Sequence, residues 1–206
     1  TDLDYKLFYG TRPAVESPSD TTATPAPLTK VWYDKDWVEL RQGPGVYFRI
    51  GSRDSLGRWQ GRIQDYYANG DIQMKGVYKD GRRHGVFLYY SDHKTYTSAG
   101  RYANNESVGK WETFHNNGRL QSEIVYGNSY FMKNSWDSTG NQLVKDGFGK
   151  EVVTHPGGVI ATEGSYVNGQ RHGYWYGRHP NGEMYFEENY NHGRLLKGRA
   201  RSLSGK

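Results

Sequence analysis

At 206 residues the chain has room for one elongated domain, or one domain with an appendage, since domains usually run to roughly 100 to 200 residues; a second large domain is not expected. Mean hydropathy is −0.93 and only 34% of residues are hydrophobic, yet there are 18 Tyr, 6 Trp and 7 Phe, which excludes plain disorder and calls for a core of aromatic rings. The net charge of +5 sits in the last thirteen residues, where Arg194, Lys197, Arg199, Arg201 and Lys206 face no acid in the sequence; removing those five from 27 leaves 22 basic against 22 acidic residues, and a neutral body of this kind lacks the broad positive face of a nucleic-acid binder.

Cysteine is absent, which removes disulfides, thiolate metal sites and cysteine nucleophiles. No apolar run approaches the roughly 20 residues of a membrane helix, so no membrane span is expected. Thr1 is not an initiator, and an N-terminal segment removed by processing or by design is expected ahead of it.

Residues 1–30 form an N-terminal segment. Within it, 11–29 hold four of the seven prolines among Ser, Thr and Ala with no apolar period, the texture of a linker or strap, or of an ordinary surface loop. Such Thr/Pro-rich stretches favour an extracytoplasmic, cell-envelope setting over the cytoplasm. Residues 31–56 turn to aromatic-rich alternation (VWYDKDWVEL, then GVYFRI) and suggest leading strands that cap a longer array.

Residues 57–198 repeat. Gly61, Gly85 and Gly109 stand 24 apart, as do Gly149 and Gly173, and Tyr78, Tyr102, Tyr126, Tyr166 and Tyr190 keep the same stride. The 40-residue gap between Gly109 and Gly149 holds one unit plus a shortened one around Trp136. Each unit is expected to run strand, tight turn, strand, loop. The turns fall at Gly70, Gly118, Gly158 and Gly182, and Asn69-Gly70, Asn117-Gly118, Gly157-Gly158 and Asn181-Gly182 suit two-residue type I′ hairpins. His93-Lys94 departs from this pattern, and a longer or distorted loop is expected there. Strict alternation after each turn predicts one packed face, Ile72, Met74, Gly76 and Tyr78 in the first unit, then Leu120, Ser122, Ile124 and Tyr126, then Met184, Phe186, Glu188 and Tyr190. The eight-residue runs 78–85, 102–109 and 166–173 resemble one another and are the reverse turns between units. The fold class is therefore all-β, an elongated single antiparallel sheet made of stacked hairpins, with 199–206 as a basic tail.

The stretch GKWETFHNNGRLQSEIVY (109–126) resembles the bacterial variant of the MORN repeat, and the resemblance covers about residues 57–198. The other units match in part: Gly173, Trp175, Asn181, Gly182, Met184, Glu187 and Tyr190 in the last, Gly61, Tyr66, Asn69, Gly70, Ile72 and Tyr78 in the first. Thr154 and Arg178 stand where an aromatic belongs, and Glu151 where Trp or Phe does. Residues 135–150 and the closing run are similar to segments of exported Bacteroidetes-type proteins, some continuing into a TonB-type energy transducer domain. Other relatives are labelled antitoxins, and eukaryotic MORN proteins are linked to membrane lipid and partner proteins. The resemblance implies a β-sheet scaffold and no particular ligand.

No chemistry-bearing motif stands out. The repeated Arg-His-Gly at 83–85 and 171–173 lacks the three or four convergent ligands of a metal site and reads as loop residues copied with the repeat. Nucleophile-elbow, zinc-helix and phosphate-loop patterns are missing, so neither catalysis nor a cofactor is expected. Glu123, Glu163 and Glu187 recur at one repeat position, which suits cross-strand pairing with Lys or Arg better than acid–base work. The candidate binding surface is aromatic: Trp111, Phe114, Tyr126, Tyr166, Trp175 and Tyr190, although most such rings are needed for packing. A non-catalytic scaffold for a protein partner is the leading expectation, with a glycan or cell-wall binding module as the alternative and an antitoxin as a third reading by family label.

Overall fold

The computed structural model describes residues 27–201. The linker read at 11–29 therefore lies almost wholly outside the described residues. Strands β1 (Leu28–Tyr33) and β2 (Tyr47–Arg53) lead. Three hairpins of similar size come next: β3 (Trp59–Tyr67) with β4 (Ile72–Lys79), β5 (Arg82–Tyr90) with β6 (Tyr96–Ala103), and β7 (Glu106–Phe114) with β8 (Leu120–Tyr126). A short hairpin, β9 (Tyr130–Trp136) with β10 (Gln142–Lys145), fills the irregular gap. Then come β11 (Phe148–Thr154) with β12 (Ile160–Val167), β13 (Gln170–Arg178) with β14 (Met184–Asn191), and β15 (Arg194–Ala200). All fifteen form one open antiparallel meander in sequence order.

The first strand starts at Leu28 and the last ends at Ala200, so the ladder reaches into both flanking segments. The basic end is not unopposed either: Arg199 Nε lies 2.6 Å from the Glu187 carboxylate, and Arg201 3.5 Å from the same group.

The two kinds of turn are the reverse of the sequence expectation. The I′ turns lie in the connecting runs, where Asp80-Gly81, Asn104-Asn105, Asp146-Gly147, Asn168-Gly169 and His192-Gly193 each put two successive residues at positive φ. At Gly70, Gly118, Gly158 and Gly182 the loop has three residues, and at 157–158 both glycines take positive φ within it. The Gly70 amide donates to Tyr67 O and the Tyr67 amide to Asp71 O, so a type I turn is followed by one left-handed residue, and Asn69 stays out of that region. An Asn-Gly pair serves either turn; the bonds of the flanking residues decide which. The loop at His93-Lys94 is not distorted: Lys94, at φ +61, takes the glycine position and donates to Ser91 O at 3.0 Å.

A bulge beside each three-residue loop corrects the face assignment. Asp65 pairs with Met74 but Tyr66 with Ile72, and the same skip recurs at Phe114↔Leu120 and Arg178↔Met184. One extra residue in the second strand turns Ile72, Leu120 and Met184 to the face opposite Met74, Ile124 and Phe186.

After the three-residue loop at Gly57 and the I′ turns at 80–81, 104–105 and 168–169, a glycine at positive φ (Gly61, Gly85, Gly109, Gly173) bends the strand in open space, since a Cβ there would meet nothing within 4 Å. The bend carries the following turn back over the strand start. Gly81 N–H donates to Trp59 O, Asn105 to Arg83 O, Gly169 to Gly147 O and Gly193 to Arg171 O, all at 2.8–3.0 Å. Around the short hairpin the effect is largest. Flat spacing of about 4.8 Å per strand would hold β9 and the β12–β13 turn roughly 14–19 Å apart, yet Met132 N–H donates to Gly169 O at 2.9 Å. The sheet therefore curls along this edge, towards the face that carries Met132 and Tyr166.

Candidate functional site

The inner face of that curl is a run of rings. Tyr78 meets Phe87 edge-on at 5.8 Å, Phe87 meets Tyr102 at 4.9 Å, Tyr102 meets Trp111 at 5.0 Å, Trp111 meets Tyr126 at 6.1 Å and Tyr126 meets Tyr130 at 6.0 Å. A hydroxyl contact of 3.4 Å carries the run to Tyr166, which meets Trp175 at 5.0 Å. T-shaped pairs set a positive ring edge on a negative ring face and add about 0.5–1.5 kcal/mol each beyond burial. Room for the largest rings comes from glycines one strand earlier: a Cβ on Gly76, Gly100 or Gly164 would stand 2.0–2.3 Å from Phe87, Trp111 or Trp175. Two buried clusters result, Ile63, Met74 and Phe87 in the first half and Met132, Val144, Tyr166 and Trp175 in the second.

Of the six rings expected to form a surface, Trp111, Tyr166 and Trp175 are buried in this run, and Tyr126 and Tyr190 line it half-buried. Phe114 lies on the other face, three residues along β7 from Trp111, in contact with Tyr96 at 5.6 Å. Among the described residues the most exposed rings are Phe148 (53%), Tyr174 (51%) and Tyr185 (50%), the last two next in sequence to the buried Trp175 and the half-buried Phe186. Strand parity could have found Tyr174 once the bulges were known.

Arginines cap the run. Arg49 makes a bidentate pair with Asp65 at 2.6 and 2.7 Å and lies 5.0–5.7 Å from the rings of Tyr33, Trp37, Trp59 and Tyr78. Burial opposes the Arg49 charge, but Asp65 outweighs it and the guanidinium pKa stands above its ordinary value. Burial likewise pushes the Asp65 carboxyl up, against the pull of Arg49. The repeated Arg-His-Gly is more than copied loop. Arg83 stacks 4.1 Å from the Tyr102 ring and donates to its hydroxyl at 2.9 Å, and Arg171 stacks 4.4 Å from Trp175 and donates to the Tyr190 hydroxyl. Burial pushes the Tyr166 hydroxyl well above the phenol range and raises the Glu151 carboxyl that accepts its hydrogen bond.

The recurring glutamates stand on the outer face, each beside a cation. Lys110 bridges Glu112 at 2.5 Å and Glu123 at 2.6 Å, Lys150 pairs with Glu163, and Arg199 with Glu187. Burial alone would raise Glu123, but hydrogen bonds from Lys110 and Asn134 hold it below the usual carboxylate value. Glu163 is lowered by Lys150 and Tyr176, and Glu187 by Arg199 and Tyr174. Ionised and already partnered, these carboxylates are poor proton donors or acceptors for a substrate. Among the described residues no three His, Asp or Glu side chains converge as metal ligands. What the outer face offers is contact area: a shallow groove of about 280 Å³ beside Tyr174, Glu187 and Arg199, and a wider one of about 580 Å³ across β2–β5.

No curated protein sequence matches this chain. Residues 59–80, 107–128 and 171–192, which fall on β3–β4, β7–β8 and β13–β14, match the family model described as MORN repeat variant, so the chain carries that repeat at three places.

Proposed function

We propose that this chain is a non-catalytic repeat scaffold that binds another protein through the outer face of its sheet. One observation carries the reading: the inner face is filled by its own rings, while the outer face leaves Leu28 (72% exposed), Val77 (38%), Tyr174 (51%) and Tyr185 (50%) in contact with water. Exposed apolar area between ordered polar groups is the make-up of a protein-binding surface. Affinity capture with the full chain, in parallel with Val77→Asp and Tyr174→Ala variants of unchanged circular dichroism, tests it. A partner held by the parent chain and lost from a variant is the expected result; capture insensitive to both substitutions refutes the outer face as the binding surface.

Tyr174 and Tyr176 support a second reading, a glycan module. Their rings lie 5.7 Å apart at 29°, beside Glu163 and Glu187, the side-by-side platform on which a sugar face stacks. Heat on titration with cell-wall oligosaccharides, abolished by Tyr174→Ala, would favour it over a protein partner. The cell-envelope setting and the kinship with exported bacterial proteins rest on the Thr/Pro-rich 11–29 stretch and on the likeness of 135–150. Fractionation of the source cells tests both, and recovery with cytoplasmic markers rejects them.

A further inference from the structure

The outer face is crossed by a row of side chains that stand directly opposite one another from strand to strand. It runs Lys30, Ile50, Gln64, Lys75, Leu88 and Ala99, and continues through Glu112 and Glu123. Beside it lies a second row in which Arg62 faces Val77 and Val86 faces Arg101. The groove of about 580 Å³ lies between the two, floored by Ile50, Val77, Val86 and Leu88, with Leu28 at its end.

The sign of the face changes along the row. From β1 to β6 the outer face carries Lys30, Arg62, Lys75 and Arg101, and the sole carboxylate in those six strands is Asp65, buried on the inner face against Arg49. From β7 onwards Glu112, Glu123, Glu163 and Glu187 appear, each within reach of a lysine or arginine. Whole-chain counts cancel these halves, so the even balance of the body hides a basic, apolar trough.

We propose that this trough is where the scaffold takes its partner, and that the partner presents an acidic polypeptide segment with an apolar stripe. The proposal rests on the protein-binding reading above and adds the place and the chemistry. An apolar floor between cations rewards an occupant with the opposite arrangement, and complementary charge selects it from other partners. A segment is favoured over a bilayer because Ile50, Val77, Val86 and Leu88 interleave with Lys30, Arg62, Lys75 and Arg101 along the two rows, a pattern that one chain with acids set beside an apolar stripe can match residue for residue.

The test uses the full chain and a fluorescein-labelled peptide of 16 residues in which Glu and Leu alternate in amphipathic order, with the Glu→Lys peptide as control. Fluorescence anisotropy is expected to rise with the acidic peptide and not with the basic one. Arg62→Glu and Val77→Asp should each weaken binding roughly tenfold or more, while Lys150→Glu, on β11 outside the trough and beside Glu163, should change it less than about twofold. Both trough side chains are exposed at the tested atoms, and circular dichroism of each variant guards against misfolding.

Equal binding of both peptides, or indifference to Arg62→Glu and Val77→Asp, overturns the assignment. So does capture of phosphatidylglycerol vesicles without capture of the acidic peptide, or a concentration-dependent dimer in sedimentation that Arg62→Glu dissolves. If a protein partner is still captured after the trough variants lose the peptide, the scaffold reading stands and the trough is refuted as its site.

Discussion

Gly164 and Gly173 are nine residues apart, and the structure requires glycine at each for a different reason. At Gly164 the backbone is ordinary, but an added Cβ would lie 2.0 Å from Cδ2 and 2.2 Å from Cε2 of Trp175, rigid ring atoms held by an indole N–H donated to Ser165 O at 3.1 Å. At Gly173 the space is empty and φ is +68. Gly164→Ala therefore overpacks a fully buried ring and should cost about 1–3 kcal/mol, at the upper end because neither ring nor ladder can retreat. Gly173→Ala should cost about 1–2 kcal/mol through backbone strain alone. Trp175→Leu, which costs about 2–4 kcal/mol in lost burial, separates the two. In a double-mutant cycle read by urea unfolding, Gly164→Ala should become nearly free once Trp175 is Leu, a coupling of about 1–3 kcal/mol, whereas Gly173→Ala should add to Trp175→Leu within about 0.5 kcal/mol. Additive behaviour at Gly164, or strong coupling at Gly173, would show that the ring does not sit over that glycine.

Three further outcomes are expected. Lys94→Gly should stabilise the chain by about 0.5–1 kcal/mol, the left-handed strain at φ +61 outweighing the extra freedom of glycine in the unfolded chain; a lowered melting temperature would contradict the turn described for residues 91–95. Asp65→Asn should destabilise by about 3–5 kcal/mol because it strands the buried Arg49, and Arg49→Met with Asp65→Leu should recover most of the loss, both measured by chemical denaturation. Glu123, Glu163, Glu187 and Asp137 all have carboxyls lowered by hydrogen bonds, so the stability they contribute is present above about pH 4 and is lost as pH falls through their folded values. Glu151, raised by burial, has the opposite sign: it takes up its proton first and stabilises as it does so, and Glu151→Gln should remove that rise from a melting curve followed between pH 7 and 4.

The 24-residue stride and the alternation of β4, β8 and β14 are legible in the sequence because each repeats a physical need: a glycine to bend the strand, a ring to lie beside its neighbour. The turn types are not, because a dipeptide reports which residues tolerate positive φ and not how many residues the loop contains. Ile72, Leu120 and Met184 fall on the face opposite to the expected one for a related reason, since a bulge leaves no mark on a strict period of 2 and is visible only in the pairing. Arg49 and Asp65 lie sixteen residues apart, and Arg49 stands in a leading strand outside the repeat, so no periodicity could join them. The cross-strand partners of the recurring glutamates can be foreseen in kind, whereas the uneven charge of the outer face needs the register before it can be seen.

The hydroxyl contact between Tyr130 and Tyr166 joins the two ring stacks, with the Met132 to Gly169 and Gln170 to Tyr130 bonds and the packed Met132 and Val144 side chains beside it. Under tension along the array, extension should begin at that seam, where the four-residue strand β10 makes the shortest ladders of the sheet and a hydroxyl contact stands in for ring-on-ring packing. A single-molecule pulling trace would then show the amino-terminal and carboxyl-terminal stacks yielding as two separate events, each with its own contour length.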